Sequence, residues 1–327
     1  MRVMSQRAPG AALALERRPT PQPAAGQVRL KVEACAVCRT DLHVVDGDLP
    51  DLRYPVTPGH EVVGVVEATG AGVAPDLLGR RMGAAWLAWT CGRCEFCLSG
   101  RENLCDAAAF TGYTRDGGFA SHMLADAAYL YPLPQQGAPE SMAPWMCAGL
   151  IGWRALRAAG EAARLGVYGF GSAGQVLARI CAWQRRSLYA FTRAGDTAAQ
   201  NHARASGAVW ASGSGDAPPV PLDAAIIFAP VGELVPMALQ AVRKGGCVVC
   251  GGIHMTDIPA FPYHLLWGER KLVSVANLTR ADGREFLALA PTAGVHCDVR
   301  TYPLEHANAA LEDLRQGRLQ ATAVLIP

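Results

Sequence analysis

Four cysteines lie close together in the stretch CGRCEFCLSGRENLC, which runs from residue 91 to residue 105. Their spacing is C-x2-C-x2-C-x7-C, and they are Cys91, Cys94, Cys97 and Cys105. Four thiolates in one short loop match a closed tetrahedral zinc site, in which the protein supplies every ligand. Free thiols at this density on a surface would oxidise. Because a closed site leaves no position for a substrate, we predict that this metal is structural.

A catalytic zinc needs three protein ligands and one exchangeable position. Cys38 in CRTDLH and His60 in PGHE are candidate ligands, each with acidic or hydroxyl neighbours that could orient it. The spacing by itself does not identify a third ligand. Cys247 and Cys250 lie in the strand-like sequence CVVC, where residues three apart point to opposite faces, so we predict that they are core thiols.

The segment GVYGFGSAGQVLARICAWQ contains the pattern G-x-G-x-x-G at Gly169, Gly171 and Gly174. With 35 glycines in the chain a chance match is easy, but this one lies between an apolar strand and a helix. The three glycines would permit a tight turn, a close approach to a pyrophosphate and close packing of helix on strand. Ser172 and Ala173 would add backbone amides at the start of the helix. We therefore predict a dinucleotide-binding site.

The residues after the next strand bear on the choice of cofactor. About 20 residues beyond the glycine motif, an NAD-selective site presents Asp or Glu to the ribose 2′-hydroxyl. The strand SLYAFTR ends instead in Thr192 and Arg193. A hydroxyl followed by a guanidinium suits a 2′-phosphate better than a carboxylate would. NADP is therefore slightly favoured over NAD, although Asp196 is close enough in sequence to offer an alternative carboxylate.

The elements around these motifs form two patterns. Residues 26–35 and 60–69 are rich in β-branched side chains and read as short strands. From about residue 141 strand-like and Ala-rich helical segments alternate, which is the pattern of βαβ units and a parallel sheet. After about residue 277 two further helices and two strands follow. Without a low-complexity linker, the domain boundaries must fall at short connections near 146 and 276.

The composition limits the class of protein. A chain of 327 residues, half of them apolar, can bury two cores. A net charge of +2 with no basic patch argues against nucleic acid or anionic membrane as a partner, and no apolar run reaches the ~18 residues of a membrane helix. The first residues, MRVMSQRAPGAALALERRPTP, lack an apolar core followed by a cleavage site. We predict a cytoplasmic protein whose clustered cysteines bind metal.

Together these motifs resemble those of a known family. CRTDLH, PGHE, the four-cysteine lobe, CAGLIG from Cys147 and the glycine motif stand in the order found in the zinc-dependent alcohol dehydrogenases of the medium-chain dehydrogenase/reductase superfamily. The resemblance covers nearly the whole chain and is greatest with the short bacterial type. It implies an α/β protein with a GroES-like β-barrel catalytic domain, formed by residues 1–146 and 277–327. A Rossmann NAD(P)-binding domain with a doubly wound parallel sheet, residues 147–276, would be inserted between the two parts.

The resemblance also implies the ligands of the catalytic zinc. Cys38, His60 and Cys147 would bind it, the set of two cysteines and one histidine known for alcohol dehydrogenase. Glu61 matches the acidic residue near the metal. Asp41 matches the carboxylate that orients the ligand histidine.

Further roles follow from the same resemblance. Thr40 and His43 match the residues that relay the substrate proton. Arg39 and Arg280 match residues that contact cofactor phosphates. Trp86 matches a tryptophan that narrows the pocket in yeast-like enzymes, although a tryptophan that only packs in the core would have the same sequence context.

The implied function is the reversible oxidation of small primary aliphatic alcohols to aldehydes or ketones by hydride transfer to NADP or NAD. It implies two zinc ions per chain, a small-molecule substrate and a homo-oligomer, either a dimer or a tetramer. One alternative is an NADPH-dependent reductase of larger allylic or aromatic aldehydes. A second is a catalytically inactive nucleotide-binding relative, against which the complete set of metal and relay residues argues.

Overall fold

The computed structural model describes all 327 residues. The strands are β1 (Arg2–Ser5), β2 (Ala14–Arg17), β3 (Gln27–Val37), β4 (Glu61–Thr69), β5 (Arg81–Ala84), β6 (Leu87–Trp89), β7 (Ala109–Phe110), β8 (His122–Asp126), β9 (Leu130–Pro132), β10 (Arg164–Tyr168), β11 (Ser187–Thr192), β12 (Trp210–Gly213), β13 (Leu222–Ile227), β14 (Val242–Cys250), β15 (Lys271–Ser274), β16 (Val299–Pro303) and β17 (Thr322–Ile326). The α-helices are α1 (Arg39–Asp46), α2 (Glu95–Leu98), α3 (Pro139–Met142), α4 (Ala148–Ala159), α5 (Ser172–Trp183), α6 (Thr197–Ala205), α7 (Leu234–Ala241), α8 (Arg280–Leu289) and α9 (Ala307–Arg315).

The chain divides into two compact units. The first contains Met1–Cys147, Thr279–Leu287 and Cys297–Pro327, and the second contains Ala148–Leu278 and Ala288–His296. The sequence predicts domain boundaries after residues 146 and 276, with residues 277–327 in the same domain as residues 1–146. In the structure, helix α8 carries residues of both units, and residues 288–296 group with the second. The assignment of a catalytic and a coenzyme role to two domains stays a prediction.

The first unit is built on a seven-stranded sheet. Its strand order is β16-β17-β3-β4-β5-β9, with β8 paired to β3, and all pairs except β16–β17 are antiparallel. Along β3, Val28, Leu30 and Val32 are buried while the residues between them are half-buried or exposed. This period-2 alternation is what a strand with one face on a core requires. The buried side chains form the core of this unit with others from β4, β17 and α9.

The pairing of β3 with β4 brings together two residues that the sequence predicts as metal ligands, Cys38 and His60. Ala36 of β3 lies opposite Glu61 of β4. Cys38 directly follows the last residue of β3, and His60 directly precedes the first residue of β4. Two residues separated by 22 positions in sequence are brought to the same edge of the sheet.

The second unit contains a six-stranded parallel sheet in the order β12-β11-β10-β13-β14-β15. Numbered within the unit, this order is 3-2-1-4-5-6, the Rossmann order. The direction of winding reverses between β10 and β13, and ligands of such sheets bind at the carboxyl ends of the strands at that point. The glycine motif begins at Gly169, directly after β10.

The helical segment that leads into the second unit is interrupted. Helix α3 is followed by a 3₁₀ turn at Ala143–Met146, then by Cys147 outside helical geometry, and then by α4. Cys147 lies at this break, as the last residue of the first segment of the first unit, and is half-buried. No helix in the structure is both long enough and apolar enough to span a bilayer.

Candidate active site and metal centres

Cys38 is the N-cap of helix α1. Its Sγ accepts a hydrogen bond from the Thr40 amide at 3.3 Å, and its own amide donates to Asp41 Oδ2 at 2.9 Å. This reciprocal pair is a capping box, in which a thiol takes the place of the usual hydroxyl. The local sequence thus fixes the position of the sulfur before any metal binds.

Asp41 also fixes the orientation of His60. The Asp41 carboxylate is fully buried, and its Oδ1 accepts hydrogen bonds from His60 Nδ1 at 3.0 Å and from the Gly59 amide at 3.2 Å. Because Nδ1 donates to Asp41, Nε2 is the nitrogen available to a metal, and it lies 3.3 Å from Cys38 Sγ. Gly59 has φ +99°, and a Cβ there would lie 2.4 Å from Phe119 Cδ1, so only glycine fits before His60.

Cys147 and Glu61 complete a buried cluster. The candidate ligand atoms of Cys38, His60, Glu61 and Cys147 all lie within 4.8 Å of one another. Glu61 is 1% exposed, and its Oε2 has no hydrogen-bond partner. A buried carboxylate oxygen without a donor is costly unless a cation is close by.

The electrostatics of this cluster also favour a cation. The pKa of Cys38 is raised well above its ordinary value because the Cys38 thiol donates its proton in a hydrogen bond to Cys147 and because burial penalises the thiolate. Burial, together with the charge of Cys38, likewise raises the pKa of Glu61. Ionising these groups together requires a compensating positive charge. The donor set of two sulfurs and one imidazole fits zinc.

The four cysteines predicted from their spacing converge in the lobe at residues 91–105. Their sulfur atoms form a second group with all members within 4.8 Å, and the Sγ atoms of Cys91 and Cys97 are 3.9 Å apart. The amides of Arg93 and Cys94 donate to the Cys91 sulfur and lower the pKa of that thiol to about 6. These amide donors stabilise thiolates, the form that binds zinc. The geometry fits a closed four-sulfur site.

Trp86 lies directly against His60. The two rings meet edge-on with centroids 5.0 Å apart, and Trp86 stacks on Phe110 at 5.3 Å and on Tyr113 at 5.6 Å. The Tyr113 hydroxyl donates to the carbonyl of Pro50, in the loop after α1. Sequence reasoning singled out Trp86 but missed Phe110 and Tyr113, because nothing in their spacing marks them as partners of a residue some 25 positions earlier.

Thr40 and His43 lie one turn apart on the same face of α1, and both are half-buried. His43 Nδ1 hydrogen-bonds to Asp48 Oδ2 at 2.9 Å, which fixes the ring and leaves Nε2 on the other side. Arg39, the first residue of the helix, is exposed. The structure thus places both predicted relay residues on one short, well-capped helix that begins at the metal-site cysteine.

The glycine motif occupies the turn between β10 and α5. Gly169 has φ +89°, and a Cβ there would lie 2.9 Å from the amide of Ala229, so this position requires glycine. Nothing lies within 4 Å of a Cβ built on Gly171, the N-cap of α5, so the space beside it is open. The first-turn amides of Ser172, Ala173 and Gly174 have no acceptor within the helix. Open space next to these donors fits a pyrophosphate.

The residues at the end of β11 differ in whether their side chains are already hydrogen-bonded to other protein groups. The Thr192 hydroxyl is buried and bonded to the carbonyls of Arg193 and Ser212. Arg193 is exposed, and its guanidinium hydrogen-bonds to no protein group. Asp196 is the N-cap of α6, where its Oδ1 accepts from the Ala199 amide at 3.0 Å.

Arg280 belongs to the first unit, where its amide and its Nε both donate to Glu102 Oε1, at 2.9 and 3.4 Å. Its guanidinium lies over the ring of Tyr129 at 4.9 Å. Nothing in the sequence spacing marks Glu102 or Tyr129 as a partner of Arg280. The glycine motif lies in the second unit, and the cofactor contacts expected of Arg39 and Arg280 stay predictions.

Cys35 and Cys181 are fully buried. Cys247 and Cys250 are only half-buried on β14, so the prediction that both are core thiols is too strong. Both lie in the part of β14 that pairs with the edge strand β15, Cys247 opposite Lys271 and Cys250 opposite Ser274.

Comparison with known proteins identifies the family. A model of the alcohol dehydrogenase GroES-like domain family matches residues 24–135. The chain is 44% identical over 314 residues to a probable alcohol dehydrogenase, AdhA, of Mycobacterium tuberculosis (strain CDC 1551 / Oshkosh), covering 94% of this chain and 90% of the relative. The chain belongs to the zinc-dependent alcohol dehydrogenases of the medium-chain superfamily. An alcohol dehydrogenase of Geobacillus stearothermophilus is 33% identical, over 92% of this chain and 91% of its own.

Similarity to a solved structure extends over the whole chain. The acetophenone reductase of Geotrichum candidum NBRC 4597, determined in complex with NAD, is 26% identical, with a TM-score of 0.88 over 100% of this chain and 97% of its own. These matches confirm the α/β fold, with a GroES-like domain and a Rossmann-type parallel sheet. They also confirm the reaction class, the interconversion of an alcohol and a carbonyl compound. The inactive-relative alternative is not supported.

Proposed function

We propose that this alcohol dehydrogenase oxidises small primary alcohols, or reduces the corresponding aldehydes, with NADP favoured over NAD and with two zinc ions per chain. The observation that carries the proposal is the presence of two separate ligand clusters of different composition. One consists of four thiols and closes around its metal. The other has two thiols, one imidazole and one nearby carboxylate. If the two thiols and the imidazole bind the metal, the fourth position of a tetrahedral site would remain for a substrate oxygen.

Cys38, His60 and Cys147 would hold the catalytic zinc, which when bound supplies a Lewis acid that acidifies an alcohol hydroxyl. Asp41 keeps His60 in the tautomer whose Nε2 faces the sulfurs. Thr40 receives the hydroxyl proton, and His43, held by Asp48, delivers it to solvent. As thiolates, Cys38 and Cys147 would balance the charge of a divalent cation held there.

The end of β11 supports NADP. Asp196, the carboxylate that could have contacted a ribose 2′-hydroxyl, is already used as a helix cap. Arg193 is exposed and has no protein partner, so it is available to a 2′-phosphate.

Replacing Arg193 by alanine is expected to raise KM for NADP roughly tenfold or more, since hydrogen bonds to charged groups are the stronger ones, and to change KM for NAD less than about twofold. Steady-state kinetics with both cofactors measures the difference. The matched control is Asp196→Asn, which keeps a good helix cap and should leave both values unchanged. Equal losses with the two cofactors in Arg193→Ala would remove the basis for NADP selectivity.

The contact between Trp86 and His60 supports a narrow substrate site. Replacing Trp86 by leucine is expected to raise the ratio of kcat/KM for benzyl alcohol to that for ethanol about tenfold. The smaller side chain would enlarge the substrate site, and a change of one methylene in the size of a pocket alters the ratio of kcat/KM between two substrates by about this factor. Trp89→Leu is the control: it lies three residues away and contacts Arg115 instead, with the guanidinium 5.9 Å from its ring. An unchanged ratio in Trp86→Leu would make Trp86 a packing residue only.

The surface of the second unit supports a homo-oligomer, as a dimer or tetramer. β15 is the last strand of its sheet, so its outer edge pairs with no strand. Apolar side chains are exposed beside it, among them Tyr263 at 71% and Trp267 at 60%. Open edges with exposed apolar surface are where strands of a second copy pair. Sedimentation velocity would measure the oligomeric state.

The overall test is steady-state kinetics with NAD and NADP across ethanol, propanol, benzyl alcohol and cinnamaldehyde. The proposal expects the highest kcat/KM with a short primary alcohol and NADP. Highest efficiency with cinnamaldehyde and NADPH would favour the alternative, a reductase of larger aldehydes. Metal analysis should find two zinc ions per chain, and a single ion would contradict the division into two sites.

A further inference from the structure

Asp46 is the last residue of α1, the helix that carries the proposed relay residues Thr40 and His43. A carboxylate at this end of a helix faces the negative pole of the dipole, which costs free energy unless a cation compensates it. Asp48 adds a second carboxylate two residues later, and an isolated helix of eight residues is only marginally stable. The end of α1 therefore depends on contacts from other parts of the first unit.

Arg315, the last residue of α9, supplies the compensating charge. Its two terminal nitrogens donate to the two carboxylate oxygens of Asp46, each at 2.7 Å. Such bidentate pairs are among the stronger hydrogen-bonded contacts in proteins. Asp46 is the main cause that raises the pKa of Arg315, and Glu312 and Asp48 add smaller effects. Both carboxylates at the end of α1 therefore act on one guanidinium.

Beneath this ion pair the two helices share one apolar core. Leu42 and Val45 of α1 are buried in the same cluster as Ala310 and Leu311 of α9. These contacts hold the body of α1 against α9, whereas the ion pair joins the final residues of the two helices. Loss of the Arg315 side chain should therefore loosen the last turn of α1 and leave the rest of the helix in place.

The last turn of α1 determines where Asp48 lies. The amides of Gly47 and Asp48 donate to the His43 carbonyl at 3.1 and 3.0 Å, and Gly47 has φ +82°, the left-handed conformation that ends many helices. This turn brings Asp48 Oδ2 to 2.9 Å from His43 Nδ1. Because a carboxylate only accepts hydrogen bonds, Nδ1 is the donor, and Nε2 is the nitrogen through which the neutral ring can accept a proton.

We propose that Arg315 is a positioning residue for the proton relay, because it fixes the turn from which Asp48 holds the His43 ring in one tautomer. This inference rests on the proposed function, in which His43 passes the substrate proton to solvent. Arg315 acts through the two carboxylates at the end of α1. Its loss should therefore change proton transfer and leave metal binding as it is.

The test compares Arg315→Ala, Arg315→Lys and His43→Gln in the zinc-loaded, full-length enzyme. Proton–nitrogen correlation spectra of protein labelled with nitrogen-15 histidine, recorded at about pH 8.5, where ordinary imidazoles are neutral, report the tautomer of each ring. His43→Gln identifies the His43 signals. The kcat/KM for ethanol at saturating NADP, the KM for NADP, zinc content and Tm are measured in parallel. Arg318→Ala is the matched control, since Arg318 follows α9 and pairs with Asp313 instead.

We expect Arg315→Ala to lower kcat/KM for ethanol about tenfold, because acid–base catalysis contributes about 10²–10⁴-fold only when the proton acceptor is correctly placed. The His43 signals should move from the Nδ1–H tautomer toward a mixture of the two tautomers. Arg315→Lys keeps the charge but not the two parallel hydrogen bonds, so it should recover part of both effects. The KM for NADP and the zinc content should stay at wild-type values, and Arg318→Ala should match the wild type throughout.

Three outcomes would overturn the inference in different ways. If Arg315→Ala lowers Tm and activity while His43 keeps its tautomer, the role of Arg315 is structural only. If activity is unchanged in Arg315→Ala while His43→Gln lowers kcat/KM, the relay stands and does not depend on Arg315. If His43→Gln leaves kcat/KM unchanged, the proposed relay itself fails and the inference fails with it.

Discussion

Replacing Cys147 by alanine is expected to lower kcat by at least about a thousandfold while the protein remains folded. Lewis-acid stabilisation of a developing negative charge is worth several kcal/mol, and each 1.4 kcal/mol is a factor of about ten in rate. Cys147 lies between a 3₁₀ turn and α4, outside the regular part of either element, so its side chain is not needed to build them. Activity with NADP and ethanol, zinc content and the circular dichroism spectrum are the three measurements.

The control for this experiment is the same substitution at Cys250, a half-buried thiol that belongs to neither metal cluster. Cys250→Ala should retain full zinc content and turnover. Cys147→Ala should lose one zinc ion per chain and keep its spectrum. Wild-type zinc content with normal turnover in Cys147→Ala would show that this residue is not a ligand of the reacting metal.

Replacing Cys94 by alanine is expected to act on stability first, lowering Tm by at least about 5 °C and reducing soluble yield. The lobe has almost no core of its own: α2 has four residues, and Leu98 at its end is 76% exposed. A structural zinc therefore provides most of the free energy that keeps such a segment folded, and apparent values of about 10 kcal/mol are typical of small zinc sites. Differential scanning calorimetry and zinc analysis measure the effect.

In Cys94→Ala molecules that remain folded, the proposed catalytic cluster should keep its arrangement, since Cys38, His60 and Cys147 belong to a different cluster. We expect kcat at saturating cofactor, per mole of folded Cys94→Ala protein, to stay within about threefold of the wild type. Glu95→Ala, the neighbouring exposed position, serves as the control and should leave Tm unchanged. Unchanged stability together with lost catalysis would reverse the assignment of the two metal sites.

The sequence was most informative where the chemistry depends on local spacing. Four cysteines within 15 residues predict a closed site wherever the loop lies, because such a loop can wrap one ion by itself. The glycine motif is similar, since the turn, the helix start and the phosphate donors all come from one continuous segment. The alternation along β3 and the βαβ pattern predicted the two kinds of sheet for the same reason.

The catalytic cluster could be predicted only in part. Cys38 and His60 were candidates by residue type, but Cys147 entered through the resemblance to a family. In the structure the Ala36–Glu61 register of β3 and β4 brings Cys38 to His60, and the break before α4 presents Cys147. Neither the register of β3 and β4 nor the break before α4 can be predicted from the spacing of the ligands in the sequence.

Other features were decided only by the tertiary structure. Asp196 was an alternative cofactor ligand by its position in sequence, and its use as the cap of α6 is a property of the folded helix. Trp86 was a pocket candidate without a known neighbour, and packing placed its edge on His60. Glu102 and Arg280 meet across 178 residues, a separation at which sequence spacing carries no information about contact. The sequence by itself predicted the four-cysteine site and the dinucleotide-binding turn, because each of them is one short local motif. The tertiary structure decided which distant side chains orient the predicted metal ligands, because such contacts depend on strand register and helix packing.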